Sequence, residues 1–203
     1  MRKFFYALAS ISFLSLCASI IIYQANNLPQ SGAGKESEFD IGGKFQLIDQ
    51  NKKVRTSEEF LGKYVVLYFG YAFCPDICPQ ALNNISDLME SLGNDRDQVV
   101  PIFVTLDPSR DTYSALKTYS ENYSPFFVML TGDEKKIKEL QSSYKVSYTY
   151  MDDESSTDGY LIDHSSVIYI LSRKGKVIKV FSHETPSSEM HKFFTKALLK
   201  DLS

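Results

Sequence analysis

Short apolar runs alternate with helical apolar spacing along most of this chain. The most apolar run covers residues 64–69, and a strand without polar positions is typical of the centre of a sheet with both faces covered. A helix is predicted at 80–92, where apolar residues recur every three or four positions, and it ends at Gly93. The same patterns predict strands at 99–106, 126–130, 167–171 and 177–181, and helices at 112–121, 134–144 and 187–202.

Turn and capping residues mark the boundaries of these elements. Residues 45–54 are predicted to form a hairpin with a polar turn. Thr56 and Glu59 have the spacing of a capping box, which predicts a short helix before Gly62. Pro79 fits a first helical turn, and Asp111 is expected to cap the helix at 112–121.

Repeated strand–helix units, closed by a hairpin and a helix, predict an α/β fold with a central mixed β-sheet flanked by helices. Residues 146–160 interrupt the alternation with an acidic, polar and aromatic stretch, for which we expect a long loop. Such a loop is either functional or a solvated insertion, and the sequence leaves both interpretations open.

The amino-terminal residues indicate a membrane anchor. Residues 4–23 carry no charge and are long enough to cross a bilayer as a helix. Arg2 and Lys3 precede this span, so residues 1–3 are expected in the cytoplasm and a linker at 24–40 outside it, before a domain at 41–203. A cleaved signal peptide is the alternative, but no good cleavage site follows the span, and Leu16 argues against a lipoprotein site at Cys17.

Net charge and cysteine count exclude some classes of function. The chain of 203 residues has a net charge of −3 and a pI near 5.7, so a nucleic-acid partner is not expected. Three cysteines are too few for a disulfide scaffold, and Cys17 falls inside the apolar span. Cys74 and Cys78 are therefore the thiol pair of the domain, in a compartment where thiols meet oxidants.

The thiol pair lies where the strand at 64–69 gives way to the helix at 80–92. If helical geometry extended over both residues, Cys74 and Cys78 would share one face with their Cα atoms about 6 Å apart. That separation suits a disulfide bond or a shared metal ion. A helix amino terminus also lowers the pKa of a thiol, which favours thiolates in either case.

A metal site needs a further ligand, and His164 is the best placed of three histidines. We expect it just before the strand at 167–171, whereas His183 and His191 have no comparable position. Two thiolates and an imidazole suit Cu(I), and an open fourth position could admit Cu(II), while structural zinc normally takes four ligands. Asp76 and Asp163 are possible supplementary groups, although each fits loop capping or solvation as well.

Three segments of the chain resemble the Sco/SenC family of copper-binding cytochrome c oxidase assembly factors. They are Phe73-Cys74-Pro75-Asp76-Ile77-Cys78-Pro79, Asp107-Pro108-Ser109-Arg110-Asp111-Thr112 and Asp163-His164-Ser165. The resemblance implies a thioredoxin-like fold and copper held by Cys74, Cys78 and His164. It also implies a periplasmic domain on the inner membrane, or a mitochondrial one facing the intermembrane space.

The expected role is copper delivery to the Cu(A) centre of oxidase subunit II, with other copper-donor proteins as further partners. Thiol–disulfide reduction of the subunit II cysteines is the alternative, with Cys74 and Cys78 as the redox pair. Against it, the spacing has three residues between the cysteines rather than two, and no proline directly precedes the strand at 167–171. The chain is therefore expected to bind metal rather than act as an enzyme.

Two further hypotheses, a peroxiredoxin-like peroxidase and a structural disulfide, explain fewer features of the sequence. The peroxiredoxin pattern requires a threonine three positions before the cysteine, where this chain has Tyr71. A structural disulfide between Cys74 and Cys78 would account for the thiols but leave His164 without a role.

Overall fold

Strand β3 (Tyr64–Gly70) runs through the interior of the main sheet, and all seven of its residues are buried. It pairs in parallel with β4 (Val99–Thr105) and antiparallel with β8 (Val167–Leu171). The prediction that the most apolar run lies at the centre of a covered sheet is confirmed.

The other strands of the sheet are β1 (Gln46–Asp49), β2 (Val54–Thr56), β5 (Val128–Thr131) and β9 (Val177–Ser182). In the part of the chain that the structure describes, seven strands form this sheet in the order β2-β1-β5-β4-β3-β8-β9. Parallel and antiparallel pairs both occur, so the sheet is mixed as predicted. The α-helices are α1 (Ile77–Ser91), α2 (Tyr113–Ser120), α3 (Glu134–Ser143) and α4 (Ser187–Asp201).

Each face of the sheet has its own apolar core. On one face, side chains of α1 and α4 such as Leu82 and Phe194 pack with Tyr68. On the other, Leu140 of α3 packs with Leu67. Successive side chains of a strand point to opposite faces, so β3 contributes to both cores.

Residues 146–160 differ from the long loop that we predicted. Strand β6 (Tyr148–Asp152) pairs antiparallel with β7 (Tyr160–His164), and the two form a separate small sheet. The Tyr150 ring contacts those of Tyr148 and Tyr160 at centroid distances of 5.8 and 5.3 Å. Aromatic contacts of this kind stabilise a strand pair, and the pattern did not reveal it because four of the five β6 residues are exposed.

Two capping predictions have different outcomes. The capping box of Thr56 and Glu59 is present and begins a short 3₁₀ helix. Asp111 does not cap α2, because Thr112 accepts the hydrogen bond from the Ala115 amide instead. Asp111 is buried, and its Oδ2 accepts hydrogen bonds from the Thr105 hydroxyl and the Ala72 amide.

The computed structural model describes residues 41–153 and 159–201. The predictions for residues 1–3, 4–23 and 24–40, and for the middle of the 146–160 stretch, concern residues outside these ranges. Within the described ranges, no helix has the length and apolar character needed to cross a bilayer.

Candidate metal centre

The two cysteines follow the carboxyl end of β3. Helix α1 begins at Ile77, so Cys78 lies in its first turn, whereas Cys74 lies in the turn before it. Helical geometry therefore does not extend over both residues. Asp76 separates them, because its φ of −141° and ψ of −67° lie outside the helical region.

Cys74 nevertheless provides a hydrogen-bond acceptor for an amide at the start of the helix. The first amides of a helix have no partner within it, and the Cys78 amide donates to Cys74 Sγ at 3.4 Å. Pro79 follows in the first turn, as predicted, where its missing N–H costs nothing. The sulfur of Cys74 thus accepts from the positive end of the helix dipole, which favours the thiolate.

His164 completes a group of three soft donors. It is the last residue of β7, and its Nε2 lies 3.5 Å from Cys78 Sγ. The donor atoms of Cys74, Cys78 and His164 all lie within 4.8 Å of one another. Among residues 41–153 and 159–201 this is the only such group of histidine, cysteine and carboxylate donors, so His183 and His191 are not part of one.

The orientation of His164 leaves the lone pair of Nε2 available to a metal ion. Its Nδ1 lies 3.2 Å from the Ser165 carbonyl oxygen, which can only accept, so Nδ1 carries the proton. The rings of Tyr68 and Tyr71 contact the imidazole edge-on, with centroids 6.3 and 6.1 Å away. A fixed tautomer and a packed ring are typical of a metal-binding histidine.

The two thiols differ in protonation. A hydrogen bond from the Cys78 thiol, against the opposing effect of burial, lowers the pKa of Cys74 to about 4, and two backbone amides add to this. The same interaction with Cys74, together with burial, raises the pKa of Cys78 well above its ordinary value. Cys74 is therefore the thiolate of the metal-free pair, and both thiols are free rather than joined in a disulfide.

A cavity of about 200 Å³ opens beside Cys74 and His164, which both line it. Asp76 and Asp163, which the sequence offered as supplementary groups, both line it, although neither belongs to the donor group. The exposed side chain of Met151 on β6 lines it too. The hydrophobic pattern had not singled out Met151, because it lies in the stretch predicted as a loop.

A cluster around Arg110 joins the cysteine turn to the hairpin that carries His164. Arg110 forms an ion pair with the buried Asp107, which also accepts a hydrogen bond from the Tyr160 hydroxyl at 2.9 Å. The guanidinium carbon of Arg110 lies 4.9 Å from the centroid of the Phe73 ring. The Arg110–Asp107 ion pair therefore connects Phe73, next to Cys74, with Tyr160 at the start of β7.

Comparison with known proteins decides the family. The SCO1/SenC family model matches residues 33–198. This chain belongs to the SCO1/SenC family. An SCO2-like protein of Rickettsia prowazekii is 38% identical over 159 residues, covering 78% of each chain. Bacterial and mitochondrial Sco proteins are both among the relatives of this family member.

Two solved Sco structures with copper bound share the fold. ScoI of Bradyrhizobium japonicum is 35% identical, with a TM-score of 0.71, and the match covers 77% of this chain and 98% of that one. ScoI of Arabidopsis thaliana is 34% identical, with a TM-score of 0.74 and coverage of 79% and 99%. The thioredoxin-like α/β architecture is thereby confirmed. These two solved chains consist almost entirely of the matched part, so in them this domain folds with little further sequence.

Proposed function

We propose that this Sco protein binds copper through Cys74 Sγ, Cys78 Sγ and His164 Nε2. The observation that carries the proposal is the convergence of these three atoms within 4.8 Å. Two thiolates and an imidazole prefer Cu(I), the softer ion. The copper-bound relatives of Bradyrhizobium japonicum and Arabidopsis thaliana support copper over other soft metals.

The copper is cargo for assembly of the Cu(A) centre in cytochrome c oxidase subunit II. Sco proteins are cytochrome c oxidase assembly proteins, which supports the assignment. A site with few ligands and a half-buried Cys74 leaves room for an acceptor thiolate to replace one ligand at a time. Copper-donor proteins would load the site by the same exchange in reverse.

We place the copper-binding domain at residues 41–203, joined by the 24–40 linker to a membrane anchor at 4–23. In a bacterium this arrangement holds the domain in the periplasm, at the inner membrane where the oxidase is assembled. The uncharged span and the two basic residues before it support this topology.

The test is competition for Cu(I) between a chromophoric chelator and the reduced fragment 33–203, which begins where the family match begins. Cys74→Ser, Cys78→Ser and His164→Ala should each weaken copper binding, with the serine variants affected most because they lose a thiolate. His191→Ala is the matched control, since His191 lies on α4 outside the donor group. Unchanged affinity in His164→Ala would reject the three-ligand site.

A second function, thiol–disulfide reduction of the subunit II cysteines, is favoured by the lowered pKa of Cys74. The Cys74 thiolate would attack the target disulfide, form a mixed disulfide and release one target thiolate. Cys78, once deprotonated, would then attack Cys74 Sγ and release the second target thiolate, so two electrons pass to the target. In Cys78→Ser the mixed disulfide should accumulate, and failure of the metal-free protein to reduce an oxidised subunit II fragment would exclude this role.

A further inference from the structure

Met151 is the one exposed methionine in residues 41–153 and 159–201. Its side chain on β6 is 47% exposed, whereas those of Met89, Met129 and Met190 are fully buried in one hydrophobic core. A buried methionine fills space between other side chains, but an exposed one presents its sulfur to solvent and to ligands. Met151 therefore has a thioether that is free to act outside the core.

Met151 lies in the wall of the cavity beside the metal centre. Cys74 and His164 line the same cavity. Met151 pairs with Leu161 of β7, and opposite residues of an antiparallel pair point to the same face of a sheet. Leu161 lines the cavity too, so this face of the hairpin forms one wall, and the turn that carries Cys74 forms another.

The cavity suits an ion better than an organic ligand. Its volume is about 200 Å³, below the range of roughly 300–1,000 Å³ that small-molecule sites occupy. Cys78 is fully buried, and the hydroxyl of the buried Tyr68 lies 3.7 Å from its sulfur, whereas Cys74 is only half-buried. The cavity is therefore the side from which an ion approaches the sulfur donors.

Donor chemistry selects Met151 among the other groups that line this cavity. Cu(I) prefers soft sulfur ligands, and these include the thioether of methionine. Asp76 and Asp163 line the cavity as well, but carboxylate oxygens suit harder ions such as Mg²⁺ and Ca²⁺. A thioether is neutral and binds more weakly than a thiolate, so it can hold Cu(I) without retaining it.

We propose that Met151 is a fourth, weak ligand of Cu(I), and that its thioether receives the ion in the cavity before Cys74, Cys78 and His164 bind it. This inference rests on the proposed function, because it assumes that these three residues hold copper. Methionine is unbranched and has three rotatable side-chain bonds, so its sulfur can follow the ion from the cavity to the metal centre. Transfer to an acceptor uses the same path in reverse.

The direct test is X-ray absorption at the copper edge of the Cu(I)-loaded chain, produced with selenomethionine. The full chain carries Cys17→Ser, so that Cys74 and Cys78 are its only thiols, and it is purified in a mild detergent. We expect a copper–selenium contact that Met151→Leu removes. Absence of this contact, or its persistence in Met151→Leu, would overturn the proposal.

Chelator competition measures what the thioether contributes to affinity. Met151→Leu removes the sulfur with little change in apolar volume, and it should weaken Cu(I) binding by roughly tenfold. Thr149→Leu is the matched control, because it places the same residue at another exposed position of β6 that does not line the cavity. The control should bind like the unaltered chain. Equal Cu(I) affinities of the two leucine variants would contradict a role for the Met151 sulfur.

Failure of the proposed function gives a different result. If Cys74→Ser binds Cu(I) as tightly as the chain with Cys17→Ser alone, the three-donor site is rejected and the role of Met151 is rejected with it. If Cys74→Ser and His164→Ala lose affinity while Met151→Leu does not, the three-donor site stands and only the role of Met151 is rejected.

Discussion

The guanidinium carbon of Arg110 lies 3.7 Å from the centroid of the Tyr160 ring. This contact joins the turn after β4 to the first residue of β7, the strand that ends with His164. Arg110 Nη1 also donates to the Tyr160 carbonyl oxygen at 3.3 Å. Because the same arginine packs on Phe73 beside Cys74, it couples the position of the histidine donor to that of the sulfur donors.

Arg110→Lys should weaken Cu(I) binding although no ligand is changed. Lysine keeps the charge that pairs with Asp107, but it lacks the planar group that stacks on Tyr160 and Phe73. Cation–π contacts contribute about 0.5–2 kcal/mol, so we expect a fall in copper affinity of about 2- to 30-fold. Chelator competition measures it.

Arg96→Lys is the matched control for this change. Arg96 lies 4.2 Å from the Phe126 ring centroid in an equivalent stack, with neither residue lining the cavity at the metal centre. The control should retain full copper affinity. Equal effects of the two variants would show that Arg110 has no specific role in positioning His164.

Cys74 of the metal-free protein should react with iodoacetamide at nearly the same rate from pH 6 to pH 8. The pKa of Cys74 is lowered to about 4, so the thiolate is fully formed throughout this range and is lost only as the pH falls through 4. Cys78 should remain unmodified because it is buried and its pKa is raised. Peptide mass spectrometry distinguishes the two sites.

The unfolded chain provides the control for this measurement. In denaturant both cysteines should react with ordinary thiol behaviour, at rates that rise about tenfold per pH unit below their pKa. A Cys74 rate that rises in the same way in the folded protein would contradict the assignment of Cys74 as the thiolate.

Asp111→Asn should flatten the pH dependence of stability between about pH 4 and pH 6. Burial raises the pKa of Asp111 from 3.8 to about 6 in the folded protein. In this interval the folded state binds more protons than the unfolded state, so the free energy of unfolding falls as the pH rises. The neutral asparagine removes a contribution of roughly 1–3 kcal/mol to that fall.

Denaturant unfolding at several pH values measures the effect. Asp97→Asn, at an exposed position, is the control and should leave the profile parallel to that of the unaltered protein. If the Asp111→Asn profile is parallel as well, the carboxyl group of Asp111 titrates normally in the folded state.

The sequence predicted those features that depend on neighbouring residues. The apolar run of β3 and the spacing in α1 are local, and so is the capping box at Thr56. The choice of Cys74, Cys78 and His164 as candidate metal ligands followed from residue chemistry and from the family resemblance. Their contact depends on the β6–β7 hairpin, whose exposed residues give little hydrophobic signal.

Other features of the site depend on residues far apart in the chain. Asp111 has the local signature of a helix cap, and only the fold shows that it accepts instead from Ala72 and Thr105. Arg110 packs on Phe73 and Tyr160, which lie in different elements of the chain. No local pattern encodes contacts of this kind.

Gly70→Ala should impair both stability and copper binding. Gly70 ends β3, and an added Cβ would lie 2.8 Å from Cys78 Sγ and 2.9 and 3.0 Å from ring carbons of Tyr68 and Phe103. All three neighbours are fully buried, so none can move without disturbing the core. Overpacking of this kind costs about 1–3 kcal/mol, and the displaced sulfur should lower copper affinity in the molecules that remain folded.

Gly132→Ala is the matched control for Gly70→Ala. Its added Cβ would meet the end of the Leu47 side chain at 3.1 Å, on the face of the sheet away from Cys78. Because that side-chain end can shift slightly, we expect a smaller loss of stability and unchanged copper affinity. Denaturant unfolding and chelator competition on both variants separate the two effects. If Gly70→Ala loses stability but binds copper as tightly as Gly132→Ala, the small residue at the end of β3 serves packing alone and does not set the position of Cys78 Sγ.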